Sequence, residues 1–205
     1  MNIYYWCPFL SKVATVKAVL NSAISIKKYS KNKISPHIIN AVGEWNELKE
    51  QINKNDINLI NFTKSETLYN SLPRYSYVKS RYSYLIIFFR CFMKLYFFLK
   101  NRDREDVFII HLISSLPLIL ILLFNFKCKF ILRISGKPQL NFFRKLLWKL
   151  CKNKITAVMC PTIDTKKNLI SQNIFYSRSY YTLYDPVLEI KNFNIKKREK
   201  ILYII

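Results

Sequence analysis

The sequence predicts an α/β protein with a Rossmann-like parallel sheet and helices on both faces. Short apolar segments alternate with longer amphipathic or apolar ones along most of the chain. The clearest unit spans residues 106–136, where two apolar strands, at 106–111 and 127–134, are joined by an apolar helix at 114–124. Neither strand alternates between apolar and polar residues. This indicates that both faces of each strand are covered, as in a parallel sheet.

The first part of the chain predicts three strands and two helices. The strands are at 3–6, 34–42 and 56–62. One helix is at 13–29, and a turn at 43–45 leads into a second, short helix that ends at 52. Helix 13–29 has apolar residues at helical spacing, including Val16, Val19 and Ala23. Because Pro36 lacks the N–H that a sheet ladder requires, the second strand is expected to begin after it.

The middle of the chain predicts a long loop followed by two apolar helices. Residues 63–80 have no clear period, and a loop of that length is usually functional or mobile. The next helix, at 81–100, is apolar but contains Arg90 and Lys94, which are costly inside a bilayer. The helix at 114–124, with Ser114 or Ser115 as its N-cap, is too short to cross one. We therefore expect two buried helices rather than membrane spans.

The last part predicts more of the same sheet and then a second domain. A helix at 141–152, a strand at 155–160, a helix from 161 to about 171 and a strand at 179–183 complete a domain over residues 1–187. Residues 188–200 are polar and basic, as in a linker, and residues 201–205 form an apolar segment typical of a new strand. We expect a truncated second α/β domain to start there.

Composition limits the class of protein. Of 205 residues, 51% are hydrophobic and 16% aromatic, which excludes a disordered chain. The net charge of +22 favours an anionic partner, namely nucleic acid, anionic lipid or a phosphorylated substrate, without choosing among them. The alternative is a solvated basic surface.

The cysteines and histidines indicate neither disulfides nor a metal site. The five cysteines lack C-x-x-C spacing and mostly lie in apolar runs, so we expect buried thiols in a reducing cytosol. His37 and His111 offer no ligand cluster, so no metal or other cofactor is expected. The first ten residues lack the basic region of a secretory signal.

Candidate site residues follow from the sheet. Ligands of open parallel sheets bind beyond the carboxyl ends of the strands, where His111, Ser135 and Gly136 are expected. Arg133 lies two residues before Ser135 and points to the same side of its strand, toward either a pocket or the segment that follows the sheet.

The helix at 141–152 suggests a membrane contact. Lys145, Lys149 and Lys152 share one face, and Trp148 lies at its flank. A basic amphipathic helix with aromatic edges can rest on an anionic membrane. An ordinary sheet-packed helix with a solvated outer side is an equally good interpretation.

The order of these segments resembles the N-terminal half of a family 4-type glycosyltransferase of the two-Rossmann-domain (GT-B) architecture. The resemblance is carried by short motifs, at residues 3–12, 106–111, 131–136, 158–162 and 184–187. It departs from the family in two places: the first loop has no glycine, and Ser135-Gly136 stands where a His-Gly is common.

The resemblance implies transfer of a sugar, of the hexosyltransferase type, from a nucleotide sugar to a lipid-linked or polysaccharide acceptor. It implies cell-surface glycan synthesis, such as that of lipopolysaccharide, at the inner face of the cytoplasmic membrane. His111 matches the family's histidine near the transferred sugar, and its imidazole can donate or accept a proton. Ser11 and Lys12 could meet a phosphate at the N-terminus of the following helix. The nucleotide would be bound mainly by the C-terminal domain, so residues 1–205 alone are expected to be inactive.

The alternative function is a non-enzymatic, basic nucleic-acid-binding module. Interleaved tyrosines and arginines at 74–84 could stack on bases. No helix-turn-helix, ribonucleoprotein or zinc pattern is present, so nucleic acid is the less favoured partner.

Overall fold

The computed structural model describes residues 1–11, 13–31, 33–63, 68–73, 76–138 and 140–186. The predicted linker, the predicted final strand and Lys12 lie outside these residues. Seven strands form one sheet in the order β3-β2-β1-β4-β5-β6-β7, and all six neighbouring pairs are parallel. The strands are β1 (Asn2–Trp6), β2 (Ser35–Asn40), β3 (Asn58–Asn61), β4 (Val107–Ile110), β5 (Lys129–Arg133), β6 (Ala157–Cys160) and β7 (Tyr180–Thr182). The predicted parallel α/β fold is confirmed.

Seven α-helices connect the strands in the described part of the chain. They are α1 (Ala14–Tyr29), α2 (Lys49–Lys54), α3 (Leu68–Ser71), α4 (Tyr77–Lys100), α5 (Ser115–Leu123), α6 (Phe142–Leu150) and α7 (Ile163–Ser171). The predicted loop at 63–80 is wrong in part, because it contains α3 and the first turn of α4. Helix α4 begins early because the Ser76 hydroxyl accepts the Lys79 N–H at 3.2 Å.

Pro36 lies inside β2 rather than before it. It pairs in register with Ile3 of β1, whereas β3 joins β2 only from His37 onward. No ladder to β3 exists at Pro36, so its missing N–H costs nothing there.

The helices form two layers, one on each face of the sheet. Strand order runs one way from β1 to β3 and the other way from β4 to β7, so right-handed crossovers place α1 and α2 opposite α4 to α7. Two adjacent residues of β1 confirm this. The Tyr5 hydroxyl lies 3.0 Å from the Ser22 hydroxyl of α1, whereas the Tyr4 ring packs against Phe98 of α4 at 5.0 Å.

The two apolar helices differ in burial. Most of α5 is buried, as predicted, but the prediction for α4 is wrong on its outer side. By length and composition α4 could cross a membrane from Val78 to Lys100, yet one row of it packs into the core. All five cysteines are buried, as expected.

A polar network closes the amino edge of the sheet. The Asp106 carboxylate accepts hydrogen bonds from the Asn2 backbone and side chain at 3.3 and 2.9 Å, and from the Asp103 N–H at 3.2 Å. Arg102 donates to the Tyr4 hydroxyl at 2.6 Å. At the same edge the Lys154 ammonium donates to carbonyls at the end of α5, including that of Ile121 at 2.8 Å.

Candidate functional site

A cavity of about 660 Å³ opens at the carboxyl edge, where the strand order reverses between β1 and β4. Its walls come from the loops after β1, β4 and β5, from the start of α5, from α6 and from Tyr84 of α4. Five predicted site residues line it: Ser11, His111, Arg133, Ser135 and Gly136. The sheet therefore brings these residues together, as expected.

The side chain of His111 is buried in the wall of the cavity. Its backbone N–H donates to the Trp6 carbonyl at 2.9 Å, which fixes the residue one position beyond β4. Among the described residues, neither Nδ1 nor Nε2 has a partner. Burial, and secondarily the Arg133 cation, lowers the pKa of His111 to about 3. The ring is therefore neutral at physiological pH, with one donor and one acceptor to offer.

Arg133 binds the segment that follows the sheet. Its buried guanidinium donates to the Leu183 carbonyl at 3.1 Å and forms an ion pair with Asp185. Of the two directions that the sequence left open, these contacts select the segment after β7, although Arg133 also lines the cavity. The Arg133 cation thus holds the segment that follows β7 against the cavity.

The loop after β1 is the least specific part of the predicted site. Ser11 is exposed and lies two residues before Val13, the N-cap of α1, which makes no side-chain capping bond. The phosphate contact proposed for Lys12 falls outside the described residues. The phosphate contact of Ser11 and Lys12 therefore stays a prediction.

Ser135 and Gly136 form an open rim of the cavity. Both are exposed, and a Cβ built on Gly136 would meet nothing within 4 Å. Gly136 is not among the residues with positive φ, so neither its backbone nor its surroundings require glycine.

The membrane contact predicted for Trp148 is wrong, because this side chain is buried. It was expected to contact a membrane, but it is only 3% exposed, packs against Phe175 with ring centroids 6.0 Å apart, and lines the cavity. Its Nε1 has no partner among the described residues. The physical reason is the rotation of α6, which turns Trp148 inward and Phe142 and Phe143 outward.

The three lysines predicted at the membrane stay at the surface to different degrees. Lys145 is exposed and donates to the Gln172 side chain at 3.3 Å, and Lys149 is exposed as well. Lys152 is half-buried, with its ammonium 5.4 Å from the centre of the Tyr176 ring. Lys145 and Lys149 remain suited to an anionic surface.

Two further cations, which were not among the predicted site residues, complete the wall of the cavity. Lys137 and Arg144 line it with Arg133, and no aspartate or glutamate is among its lining residues. Asn141 caps α6 there, its Oδ1 accepting the Arg144 N–H at 2.9 Å. The N-terminus of a helix favours an anionic group, and cations beside it strengthen that preference. Lys137 and Arg144 follow β5, and this position at the carboxyl edge is the sequence signal that could have identified them.

Ile113 has a strained backbone beside His111. Its φ of 48° is unusual for a β-branched residue and costs about 1–3 kcal/mol. The turn is held because the Ile113 carbonyl accepts the Trp6 indole N–H at 3.1 Å. Strain of this kind is concentrated at functional sites.

A second buried titratable group lies at the carboxyl edge, after β2. The Glu44 carboxylate accepts the N–H groups of Ala41 and Val42 at 3.0 and 2.8 Å. Burial raises the pKa of Glu44 to about 7, against the opposing effect of these bonds.

Two further predictions concern metals and nucleic acid. Within the part of the chain that the structure describes, no three His, Cys, Asp or Glu side chains are grouped to hold a metal ion. The tyrosine-rich segment, which under the alternative function could stack on bases, is not a loop from residue 77 onward, because it forms the start of α4. Residues 74 and 75 lie outside the described chain.

The fold is that of a Rossmann-like domain, the unit that forms one half of a GT-B structure. Among solved structures, the chain is similar to Anabaena Alr3699/HepE in complex with UDP and glucose, with a TM-score of 0.54 and 11% identity over 91% of this chain and 45% of that one. The UDP-GlcNAc 2-epimerase from Methanocaldococcus jannaschii has a TM-score of 0.41 and 14% identity, over 88% and 44% of the two chains. The chain thus spans less than half the length of either structure. No protein-family model and no curated protein sequence matches it.

Proposed function

We propose that this chain is the acceptor-side half of a glycosyltransferase that takes its sugar from a nucleotide-sugar donor. The observation that carries the proposal is the carboxyl-edge cavity, in which a buried imidazole, without a hydrogen-bond partner among the described residues, lies among cations. The fold likeness to HepE, whose structure contains UDP and glucose, supports it.

The cavity offers groups for both parts of a nucleotide sugar. A neutral imidazole can donate one hydrogen bond and accept another, which matches sugar hydroxyls. The low pKa of His111 makes hydrogen bonding a better role for it than proton transfer as an imidazolium. Lys137 and Arg144 would attract the diphosphate, and the open rim at Gly136 would let the ligand approach the backbone.

The finer assignment follows the resemblance seen in the sequence. We propose a family 4-type hexosyltransferase without a further cofactor, acting on a lipid-linked or polysaccharide acceptor for a cell-surface glycan. A second domain, reached through a linker at 188–200, would bind most of the nucleotide. The enzyme would work in the cytoplasm at the inner face of the cytoplasmic membrane, with Lys145 and Lys149 toward anionic headgroups.

Calorimetric titration of the purified chain with hexoses and nucleotide hexoses tests the site. We expect weak binding that falls at least about tenfold in His111→Leu, because that variant loses both ring hydrogen bonds. The matched control is His37→Gln at the opposite edge, which should bind as the wild type does. Binding that survives His111→Leu, or no binding of any of these ligands, contradicts the proposal.

Turnover tests the two-domain part separately. Residues 1–205 alone should transfer no sugar, because half of the cleft would belong to the second domain. Transfer of radiolabelled sugar by the chain alone would contradict that part.

A further inference from the structure

Helix α4 presents a continuous apolar row to solvent. Six side chains spaced three or four residues apart are each more than half exposed: Val78, Tyr82, Leu85, Phe89, Met93 and Phe97. From first to last the row is about 28 Å long at the rise of an α-helix. An exposed apolar surface of this size marks a contact with a partner or a membrane.

The opposite row holds α4 on the domain. Ser83, Ile87, Cys91, Leu95 and Leu99 are fully buried. The helix is long and apolar enough to cross a bilayer, but crossing would remove this row from the core. In the folded domain, α4 can therefore offer only its outer side.

Helix α6 has a similar outer side in the same layer. Phe142, Phe143, Leu146 and Leu150 are exposed, and α5 lies between the two helices in contact with both. We call these exposed apolar residues of α4 and α6 the outer face. Two residues line the cavity as well: Phe143, which belongs to the outer face, and Tyr84 of α4. The outer face therefore adjoins the candidate site.

The charge beside the outer face selects its partner. Helices α4, α5 and α6 contain no aspartate or glutamate, while Lys79, Arg90, Lys145 and Lys149 are exposed on α4 and α6. A second copy of the chain would bring like charges together. An anionic bilayer offers acyl chains for the apolar rows and headgroups for the cations.

The end of the last described segment lies on the other side. The last described residue, Pro186, accepts a hydrogen bond from Asn21 of α1 at 2.9 Å. Helix α1 lies on the sheet face opposite α4. Pro186 therefore lies away from the outer face.

We propose that the outer face docks on an anionic lipid bilayer, with α4 and α6 lying in the plane of the interface. The inference rests on the proposed function for the nature of the acceptor, because docking would place the cavity mouth beside a lipid-linked substrate. It adds α4, which the sequence alone assigned to the core, as the longer contact.

Vesicle sedimentation tests the docking directly. The purified chain should bind vesicles of equimolar phosphatidylglycerol and phosphatidylcholine, and bind far less to phosphatidylcholine alone. Phe89→Ser and Phe97→Ser should each lower the partition coefficient by about tenfold or more, because each removes a buried aromatic contact with the acyl boundary. Tyr29→Ser, at the exposed end of α1 on the other face, is the matched control and should leave it unchanged.

The cations are tested by a second pair of variants. Lys145→Gln with Lys149→Gln should reduce binding to the anionic vesicles, and Lys17→Gln on α1 should not. Circular dichroism of each variant should match that of the wild type, since all these side chains are exposed.

Several results would overturn the inference. They are equal binding to neutral and anionic vesicles, no binding to either, and a dimer in analytical ultracentrifugation that Phe89→Ser dissociates. Calorimetry with hexoses separates this inference from the proposed function. Phe89→Ser should keep any sugar binding while losing vesicle binding, and His111→Leu should do the reverse.

Discussion

The two histidines lie at opposite edges of the same sheet and have opposite surroundings. At the amino edge, His37 stacks on Tyr4 with ring centroids 4.8 Å apart, and its Nε2 lies 3.3 Å from the Asn2 side-chain oxygen. At the carboxyl edge, the His111 ring is buried with no partner for either nitrogen among the described residues. Burial lowers the pKa of both rings, that of His111 to about 3.

The difference extends to the neighbouring groups. The amino edge pairs its buried carboxylate, Asp106, and its lysine, Lys154, with several partners each. The carboxyl edge holds a strained Ile113 and the indole of Trp148, whose N–H has no partner in the described part of the chain. Buried polar groups without a partner lower stability, so their presence beside the cavity indicates a surface retained for ligand contact.

The largest expected effect is at the amino edge. Asp106→Ala should lower the free energy of unfolding by about 3 kcal/mol, because three N–H donors lose a charged acceptor. Urea denaturation measures it, with the exposed Glu50→Ala as control. A loss no larger than that of the control would remove the stabilising role assigned to this edge.

The pH dependence of stability compares two groups at the carboxyl edge. The folded pKa of His111, about 3, lies below its ordinary value of 6.5, so stability falls as the pH drops from about 6.5 toward 3. The folded pKa of Glu44, about 7, lies above its ordinary value of 4.5, so stability falls as the pH rises from about 4.5 to 7. Between about 4.5 and 6.5 the two effects oppose each other.

Variants separate these slopes. In His111→Leu, stability should fall with rising pH in that window, and in Glu44→Gln it should rise, each relative to the wild type by at most about 1.4 kcal/mol per pH unit. Thermal or urea unfolding across the window measures both. Wild-type slopes in both variants would show that neither group titrates as proposed.

A smaller effect is expected at the end of α5. Lys154→Met should destabilise the protein by about 1–2 kcal/mol, because the ammonium satisfies carbonyls at a helix C-terminus. Lys149→Met on the outer side of α6 is the matched control, expected within about 0.5 kcal/mol of the wild type. Equal effects of the two substitutions would contradict the specific role of Lys154.

The smallest effect on stability should come from the unpartnered imidazole. His111→Leu at neutral pH should leave stability unchanged or raise it by about 1 kcal/mol, because an unpaired buried polar group is removed. Urea denaturation would contradict this if the variant lost more than about 2 kcal/mol, a loss typical of a broken buried hydrogen bond.

The sequence predicted the parallel sheet and the placement of His111, Ser135 and Gly136, because strand patterns and the carboxyl-edge rule are local or topological. It could not fix the rotation of α6, since Phe142, Leu146 and Leu150 share one side of the helix and Trp148 lies on another, so either side could have faced the core. It also assigned the outer side of α4 to the core, because hydropathy alone does not reveal whether a neighbour covers a helix face.

The most direct test of the site is NMR of the two imidazoles, which are the only two in the chain. With ¹⁵N-labelled histidine, addition of hexoses and nucleotide hexoses at millimolar concentration should shift the ring resonances of His111 and leave those of His37 unchanged. The ring of His111 should also remain neutral down to about pH 4, given its folded pKa of about 3. A His111 ring that titrates near 6.5, or resonances that do not respond to any of these ligands, would contradict a sugar site at the carboxyl edge.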